Sequence, residues 1–427
     1  MRINYISIVY NMSALPRSIA YGEPMPSLPA DSRCDDVVLR AVNGASFAAN
    51  STIQFDFNNV GFIDPASIYL RYTYTLTSGG VSSMIGAPVY APFARLNVFA
   101  GSNQIESQSN FNQTATMLTN LNLNVAQKYG LQSSYGYKAE TGVPTLEELD
   151  GRTTTANETG SFGAPLPCIL SACEKMIPAF ASPQLRLELV VDSVSNMFRP
   201  DSTAVPSAIA LTNVELCYRQ ISMGAEVEAM VRAMPSISIR TQSFLNTASV
   251  LGAGTSGQVA LVYNQRVASI KSAFLAFAST QTDSNLWGDS ADVTKANGSY
   301  SLTIAGQQYP QTPYNTATNK NGLLQALRVA CGSIYSKDNN QSINSIEWNL
   351  DDGDATTMAA PAKFFIGVDT EKVDSEFIMS GVSSQSSAIS ANIQLGTATT
   401  DAHNVSLILN YDAVLELGAD GQAALRM

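Results

Sequence analysis

Residues 52–57, TIQFDF, alternate strictly between apolar and polar side chains, which is the pattern of a strand with one buried face. The same alternation recurs about 206 positions later at residues 258–263, QVALVY. A second strand-like segment follows each of them closely, at residues 67–76 (SIYLRYTYTL) and 269–277 (SIKSAFLAF). These paired segments predict that the chain contains a structural repeat.

Two further pairs of segments extend the repeat in the same order along the chain. LNVFAG (96–101) is matched by LTIAG (302–306), and NVELCY (213–218) is matched by NVSLIL (404–409). The four offsets lie between about 191 and 206 positions. A chain of 427 residues is also longer than one hydrophobic core usually organises. We therefore predict two similar β domains in tandem.

The repeat and the positions of proline divide the chain into four predicted segments. They are an extended N-terminal arm (1–33), a first β domain (34–224), a connector helix (225–236) and a second β domain (237–427). The arm carries four prolines and has no hydrophobic period. The connector, AEVEAMVRAM, ends at Pro235, which cannot continue a helix. Residues 113–129 and 322–330 are the other two stretches with a helical pattern.

The rest of the pattern is that of an all-β protein. In residues 67–76 one set of alternate side chains is apolar: Ile68, Leu70, Tyr72, Tyr74 and Leu76. Residues 185–191 alternate in the same way. Turn residues separate such strands at the even spacing that is typical of a sandwich or barrel. Three long polar stretches, 131–166, 279–300 and 332–360, are predicted to be functional surface loops.

The composition argues against several classes of protein. Charged residues make up 14% of the chain and apolar residues 45%, with a net charge of −11. The 24 basic residues are dispersed, which argues against direct nucleic-acid binding. No segment approaches the roughly 18 consecutive apolar residues of a membrane-spanning helix. The N-terminus is too weakly apolar for a signal peptide, so we expect a soluble protein made in the cytosol.

The five cysteines are odd in number and have no CxxC spacing. They are Cys34, Cys168, Cys173, Cys217 and Cys331. This arrangement favours small buried side chains in a reducing compartment over disulfides or a metal site.

Three patterns suggest chemistry but are better explained as structure. Residues 252–257 (GAGTSG) fit the dinucleotide-binding fingerprint, yet a strand and not a helix is predicted to follow them. The one histidine, His403, lies beside Asp401 before a predicted strand and cannot build a multi-histidine metal site. An acidic group lacks the calcium-loop pattern and is predicted to be a solvated turn: Glu347, Asp351, Asp352 and Asp354. We predict no catalytic, cofactor-binding or metal-ligating residue.

Several short passages, in their order along the chain, resemble a known family. They are LNVFAGSNQIE (96–106), the segment 379–382 (MSGV) after residues 364–368, and YDAVLEL (411–417) followed by Asp420 and Gly421. The chain resembles, over about residues 34–427, the double jelly-roll major capsid proteins of icosahedral DNA viruses. That lineage includes tectiviruses, adenoviruses, virophages, polinton-like viruses and the nucleocytoplasmic large DNA viruses.

The resemblance implies a fold and a function. The fold would be two tandem eight-stranded antiparallel jelly rolls with a few short helices. The function would be that of a major capsid protein, synthesised in the host cytoplasm and located in the virion. Three copies would form a pseudo-hexagonal capsomer that contacts neighbouring capsomers. The N-terminal arm would reach minor capsid or penton proteins, or an internal membrane. The modest loops imply short towers on the outer surface.

Two alternatives belong to other classes of protein. A secreted or surface tandem β-sandwich binding protein, such as an adhesin or lectin-like module, would share the repeat but should carry an export signal. A carbohydrate-active β enzyme would need a pair of carboxylates, which can come from distant strands, and an aromatic platform. Trp287 and Trp348 are both predicted to lie in loops, where they could line a glycan-binding surface.

Overall fold

The computed structural model describes the chain in a series of stretches. They are residues 31–77, 82–84, 86–137, 152–155, 157–200, 205–279, 290, 292–294, 298–332, 343, 348, 363–373, 379–418 and 423–426. Residues 1–30 of the expected arm lie outside them, as do Trp287 and the acidic residues Glu347, Asp351, Asp352 and Asp354.

The first half of the chain consists of short strands with helices between them. The strands are β1 (Arg33–Arg40), β2 (Ser46–Ala48), β3 (Thr52–Asp56), β4 (Phe62–Ile63), β5 (Tyr69–Thr77), β6 (Ser82–Met84), β7 (Phe93–Ala100), β8 (Asn103–Ser109), β9 (Arg152–Thr154), β10 (Thr159–Pro165), β11 (Ile177–Pro178), β12 (Leu185–Val191), β13 (Phe198–Pro200) and β14 (Ala208–Ser222). The helices are α1 (Phe111–Asn122), α2 (Val125–Gly130), α3 (Gln132–Tyr135) and α4 (Val194–Met197), with 3-10 turns at Pro65–Ser67 and Ala179–Ala181.

The second half begins with a helix and continues with longer strands. Its elements are α5 (Ala225–Arg232), β15 (Ser236–Leu251), β16 (Gly257–Tyr263), β17 (Ile270–Ser279), β18 (Ser299–Ile304), β19 (Gln307–Asn315), α6 (Lys320–Cys331), β20 (Ile366–Asp369), β21 (Ile389–Leu395), β22 (His403–Gly418) and β23 (Ala423–Arg426). No helix in the described stretches is long and apolar enough to span a membrane.

Both halves have the same sheet order. In the first half one sheet runs β1-β14-β5-β10 and the facing sheet runs β3-β12-β7-β8, with every pair antiparallel. In the second half the corresponding sheets run β15-β22-β17-β20 and β16-β21-β18-β19. Two facing antiparallel sheets with this connectivity form a jelly roll. In addition, β2, β4 and β11 belong to the sheet of β14, and β23 belongs to the sheet of β22. The chain therefore folds as two jelly rolls, as the resemblance implied.

The repeat predicted from the sequence is confirmed by sheet position. Each predicted pair occupies the same place in its roll: β3 and β16, β5 and β17, β7 and β18, and β14 and β22. The apolar alternation of residues 67–76 also places its side chains as expected, because every member of that set is 2% exposed or less. One register slip would have turned this whole set to solvent.

Each roll has its own hydrophobic core, but each core also contains residues from the other half of the chain. The core of the second roll includes Met117 and Leu121 from α1 of the first half. The core of the first roll includes Ile239 from β15 and Leu415 from β22. The two sandwiches therefore share buried surface and are packed as one unit.

The two rolls stand side by side in the same orientation. Three contacts between them follow each other along β8 and the start of α1: Asn103 with Ala423, Glu106 with Ser243, and Gln113 with Asn246. We call the end of the rolls near Asn103 the base. The base also holds α5, because Arg33 pairs with Ser222 and Ser236 pairs with Gly418 on either side of that helix.

The long connections lie at the opposite end, which we call the loop end. In the first roll Thr77 pairs with Ala208, and Thr159 pairs with Thr75, so the connections beyond these residues leave from one end of the sheet. In the second roll the last residue of β17 pairs with the first residue of β22. Thr77, Ala208, Ser279 and His403, which border these connections, therefore lie at the same end of the rolls.

The predicted loop 131–166 was partly wrong. It contains α3, β9 and the sheet strand β10, whose sequence TGSFGAP has a low strand propensity. Gly160 in this strand has a packing reason, because a Cβ atom there would lie 2.6 Å from the Tyr74 ring. The glycine that weakens the strand pattern thus makes room for a buried tyrosine.

The helix predictions were correct in position, with one break. Residues 113–129 form α1 and α2, separated where Asn124 caps α2 and exchanges hydrogen bonds with Gln127 in a capping box. The connector helix is α5, which has Glu226 and Glu228 in its first turn and Arg232 in its last turn. These charges complement the helix dipole.

Candidate functional site

The two rolls meet along a seam of buried polar contacts. We define the seam by β8, α1 and residues 166–174 on the first roll, and by β15 and β22 on the second. Buried polar groups cost free energy unless each finds a partner, so a satisfied set of them fixes one relative position of the packed surfaces. The seam therefore determines how the two rolls are held.

Glu106 lies in the middle of the seam and is 3% exposed. One carboxylate oxygen accepts hydrogen bonds from the Ser243 hydroxyl and from the Gln108 side-chain amide, the latter at 2.8 Å. The other oxygen accepts from the backbone N–H of Ile169 at 2.8 Å. Burial raises the pKa of Glu106, and these three hydrogen bonds oppose the increase. One side chain thus joins β8, the 166–174 segment and β15.

Gln113 makes the next contact, on the buried face of α1. Its side-chain oxygen accepts from the hydroxyl of Ser406 at 2.7 Å and from the side-chain amide of Asn246 at 3.1 Å. The Asn246 amide also donates to the Thr114 hydroxyl at 3.1 Å. These four side chains are buried, so α1 is held to the second roll by hydrogen bonds as well as by apolar packing.

Arg240 forms a charged contact closer to the base. Its guanidinium lies 3.2 Å from the buried carboxylate of Asp412 and 3.5 Å from that of Glu174. The backbone N–H of Glu174 donates to the Arg240 carbonyl at 3.0 Å. The neighbouring Thr241 hydroxyl donates to the Ile169 carbonyl at 2.6 Å. Charge and backbone pairing therefore hold residues 166–174 against β15.

The loop end is also cross-linked by short backbone pairings. In the first roll β6, β9 and β13 belong to three different connections and pair into one small sheet. In the second roll Ser290 forms a parallel bridge with Lys363, which joins the connections on either side of α6. The described parts of these connections are thus paired with one another within each roll.

The glycine-rich segment 252–257 is a strand connection, as predicted. It links β15 to β16, and no helix follows it. Gly254 donates its N–H to the Thr399 carbonyl at 2.7 Å, and Thr399 donates its N–H to the Thr255 carbonyl at 2.9 Å. These contacts tie the connection to the one that precedes β22. A phosphate-binding helix N-terminus is not formed there.

His403 is the first residue of β22 and is half-buried, with Nδ1 3.0 Å from the Asp401 carbonyl oxygen. It was predicted just before this strand and is instead its first residue. Among the described residues, no three His, Cys, Asp or Glu side chains are grouped so that they could hold a metal ion.

The suggestion that Trp348 could line a glycan-binding surface was wrong. Trp348 is 2% exposed and packs against Phe364 with 5.0 Å between ring centroids. Its indole N–H donates to the Phe365 carbonyl at 2.9 Å. A buried ring with a satisfied N–H serves the core and offers no platform for a sugar.

The cysteines follow the prediction at four of five positions. Cys168, Cys173, Cys217 and Cys331 are buried as predicted. Cys34, on β1, is exposed and so departs from the prediction. All five are free thiols in the structure. Burial raises the pKa of Cys168, Cys173 and Cys331 to about 12, which suppresses their reactivity.

The seam itself was not predicted from the sequence. Glu106 ends the passage LNVFAGSNQIE, which was used only as part of the resemblance. The sequence did contain a signal of the seam, namely three polar side chains within and just after a strand that follows the repeat segment LNVFAG. They are the carboxylate of Glu106 and the amides of Gln108 and Gln113. The partners of Glu106 and Gln113 on the second roll lie more than 130 positions away, and sequence alone does not identify such partners.

The fold matches known structures along nearly the whole chain. One match is PBCV-1 VP54, whose crystal structure was fitted into a cryo-EM reconstruction of the virophage Sputnik. The TM-score is 0.63 at 11% sequence identity, and the match covers 95% of this chain and 99% of that one. The chain has the double jelly-roll fold of these capsid proteins. The Faustovirus major capsid protein matches with a TM-score of 0.61 at 10% identity, over 93% of this chain and 92% of that one.

A third match covers the whole of this chain. The mavirus major capsid protein has a TM-score of 0.54 at 9% identity, over 100% of this chain and 96% of that one. No protein-family model matches the sequence, and no curated protein sequence matches it. The similarity is therefore one of double jelly-roll architecture.

Proposed function

We propose that this chain is a major capsid protein and that three copies form a pseudo-hexagonal capsomer of an icosahedral viral shell. The observation that carries the proposal is the pair of jelly rolls with one strand order, held upright and side by side by the buried seam. The double jelly-roll capsid proteins with which the chain shares its fold support the same proposal.

The number of copies follows from the repeat. Two similar but non-identical rolls in one chain present two different lateral edges. A head-to-tail contact between such edges closes into a ring when the rotation between copies allows it, and three copies of two rolls give a six-part outline. A two-fold dimer would instead need one self-complementary patch.

The two ends of the rolls are proposed to have different roles. The loop end would point away from the particle, because long connections on the lateral faces would obstruct tiling. The N-terminal arm would extend from the base, where β1 begins, toward a neighbouring subunit, a minor capsid or penton protein, or an internal membrane. The chain would act in the virion, after synthesis in the host cytoplasm, as a structural protein and not as an enzyme. No direct contact with the genome is proposed, given the net charge of −11.

Size-exclusion chromatography with light scattering tests the stoichiometry. We expect the purified protein to have the mass of three 45.4 kDa chains. A stable monomer would favour a tandem binding module instead. Limited proteolysis of the trimer should remove residues 1–30 before it cuts either roll, since arms of this kind become ordered only on assembly. An arm as resistant as the rolls would contradict the role proposed for it.

A further inference from the structure

Equivalent strands of the two rolls differ sharply in exposure. The seam buries Glu106 and Gln108 of β8, whereas its counterpart β19 has no buried residue. The middle of β15 is buried, whereas its counterpart β1 has no buried residue. One side of each roll is thus covered within the chain, and the equivalent side of the other roll is open.

The pairing registers identify which residues are equivalent. Val38 of β1 pairs with Cys217, and Asn246 of β15 pairs with Ile408. Cys217 and Ile408 are both the fifth residue of their repeated segments, NVELCY and NVSLIL. Val38 therefore occupies in the first roll the position that Asn246 occupies in the seam of the second.

The open face around Val38 is concave and exposes two large apolar side chains. We define the β1 face by Asp36 and Val38 on β1, Cys217 on β14 and Tyr69 on β5, which line a groove of about 580 Å³. Val38 is 45% exposed and Tyr69 is 39% exposed. In the second roll the equivalent of Tyr69 is Phe274, which pairs with Ile408 and is fully buried. The first roll thus leaves open a face that the second roll buries in the seam.

The open side of the second roll offers matching chemistry. We define the α6 side by β19 and α6, which follows β19 as α1 follows β8. The solvent-facing stripe of α6 includes Gln325, Arg328 and Val329, and Val329 is 50% exposed. Among the described residues no acidic group lies within ion-pair distance of Arg328. Asp36 of the groove is exposed and lies 3.7 Å from Arg219, which also lines the groove. The exposed Val329 of α6 thus matches the exposed Val38 and Tyr69 of the β1 face.

We infer that the α6 side of one copy docks on the β1 face of the next copy, so that the contact between copies repeats the seam within each chain. The occupant of the groove is a second copy of this chain, because the internal repeat already contains the same contact between β8–α1 and β15–β22. This inference rests on the proposed function, since it concerns the lateral contact of a closed ring.

Charge substitutions on the two surfaces test the inference. Val38→Asp and Val329→Asp should each convert the trimer to monomers in light scattering, because each places a carboxylate in the apolar contact. Val262→Asp is the matched control, since Val262 is also an exposed strand valine, at 57%, but lies on β16 outside both surfaces. The control should stay trimeric, and circular dichroism should show all three variants folded.

A cross-link supplies a second measurement that does not depend on a destabilising change. Cys34 is the exposed native cysteine and shares the outer side of β1 with Val38, and Gln311 is exposed on β19. With a short bismaleimide, Gln311→Cys should give covalent dimers and trimers on a denaturing gel. Adding Cys34→Ser should abolish them, and Val262→Cys should not form them.

The outcomes separate the two proposals. A trimeric wild type in which Val38→Asp stays trimeric, or in which Gln311→Cys fails to cross-link to Cys34, overturns the assignment of these surfaces while the capsomer stands. A monomeric wild type overturns the capsomer itself.

Discussion

Glu106 of the first roll accepts a hydrogen bond from Ser243 of the second, although 137 positions separate them in the chain. The carboxylate also accepts from the backbone of Ile169 and from Gln108, so its hydrogen bonds tie three segments together. Because the group is buried, any relative movement of the rolls would leave polar atoms without partners. This contact is a direct physical reason for the fixed arrangement of the two rolls.

Glu106→Ala should lower the free energy of unfolding at pH 7 by at least about 2 kcal/mol, because it leaves several buried donors unsatisfied. Urea denaturation measures the change. Glu416→Ala is the control, since Glu416 is an exposed β22 carboxylate 3.8 Å from Arg426, and a surface pair of this kind contributes about 0–1 kcal/mol. Equal effects of the two substitutions would contradict the role assigned to the seam.

Glu106 should make the free energy of unfolding decrease as the pH rises above 4.5, the ordinary pKa of its carboxyl group. The pKa is raised in the folded protein, so the folded chain keeps its proton after the unfolded chain has lost it. The free energy of unfolding therefore decreases until the folded carboxyl ionises. Comparing wild type with Glu106→Gln by urea denaturation between pH 4 and 8 isolates this group. A difference that does not change with pH would refute the prediction.

Met117→Ala should lower the free energy of unfolding by roughly 2–5 kcal/mol, the usual range for a truncated core methionine. Met117 belongs to the first half of the chain but packs in the core of the second roll. Calorimetry should therefore show one cooperative transition that shifts as a whole. Met230→Ala, at a methionine 68% exposed on α5, should change the stability by less than about 0.5 kcal/mol. Separate transitions for the two rolls would show that α1 does not couple them.

One thiol should react rapidly with a maleimide or disulfide reagent in the folded, monomeric Val38→Asp protein, in which β1 is open, and five should react after denaturation without reductant. Cys34 is exposed, while burial raises the pKa of Cys168, Cys173 and Cys331 to about 12. The Cys34→Ser variant should show no rapid reaction. A denatured count of three or one would reveal disulfides and contradict a reducing compartment.

The sequence predicted the sheets better than the contacts between them. Alternation at Ile68, Leu70 and Tyr72 is a local property of one strand facing one core, so it is visible in the sequence. The strand at Thr159–Pro165 was missed because Gly160 serves the packing of Tyr74, which is far away in the chain. The burial of Trp348 was missed for a similar reason, since its partner Phe364 follows a long polar stretch.

The seam and the open surfaces required coordinates. Gln113 and Ser406 lie 2.7 Å apart but 293 positions from each other in the chain, and no periodicity connects them. The difference between Asn246 and Val38 was also hidden, because only the strand register shows that the two positions are equivalent. Sequence reasoning found the repeat, and the structure located its covered and open sides.

Electron microscopy of the purified protein tests the central claim most directly. We expect particles with three-fold symmetry and a six-part outline, in which six upright rolls alternate between first and second rolls around the ring. The loop ends should all lie on one face. Monomers, two-fold dimers, or trimers with loop ends on both faces would contradict the proposed capsomer.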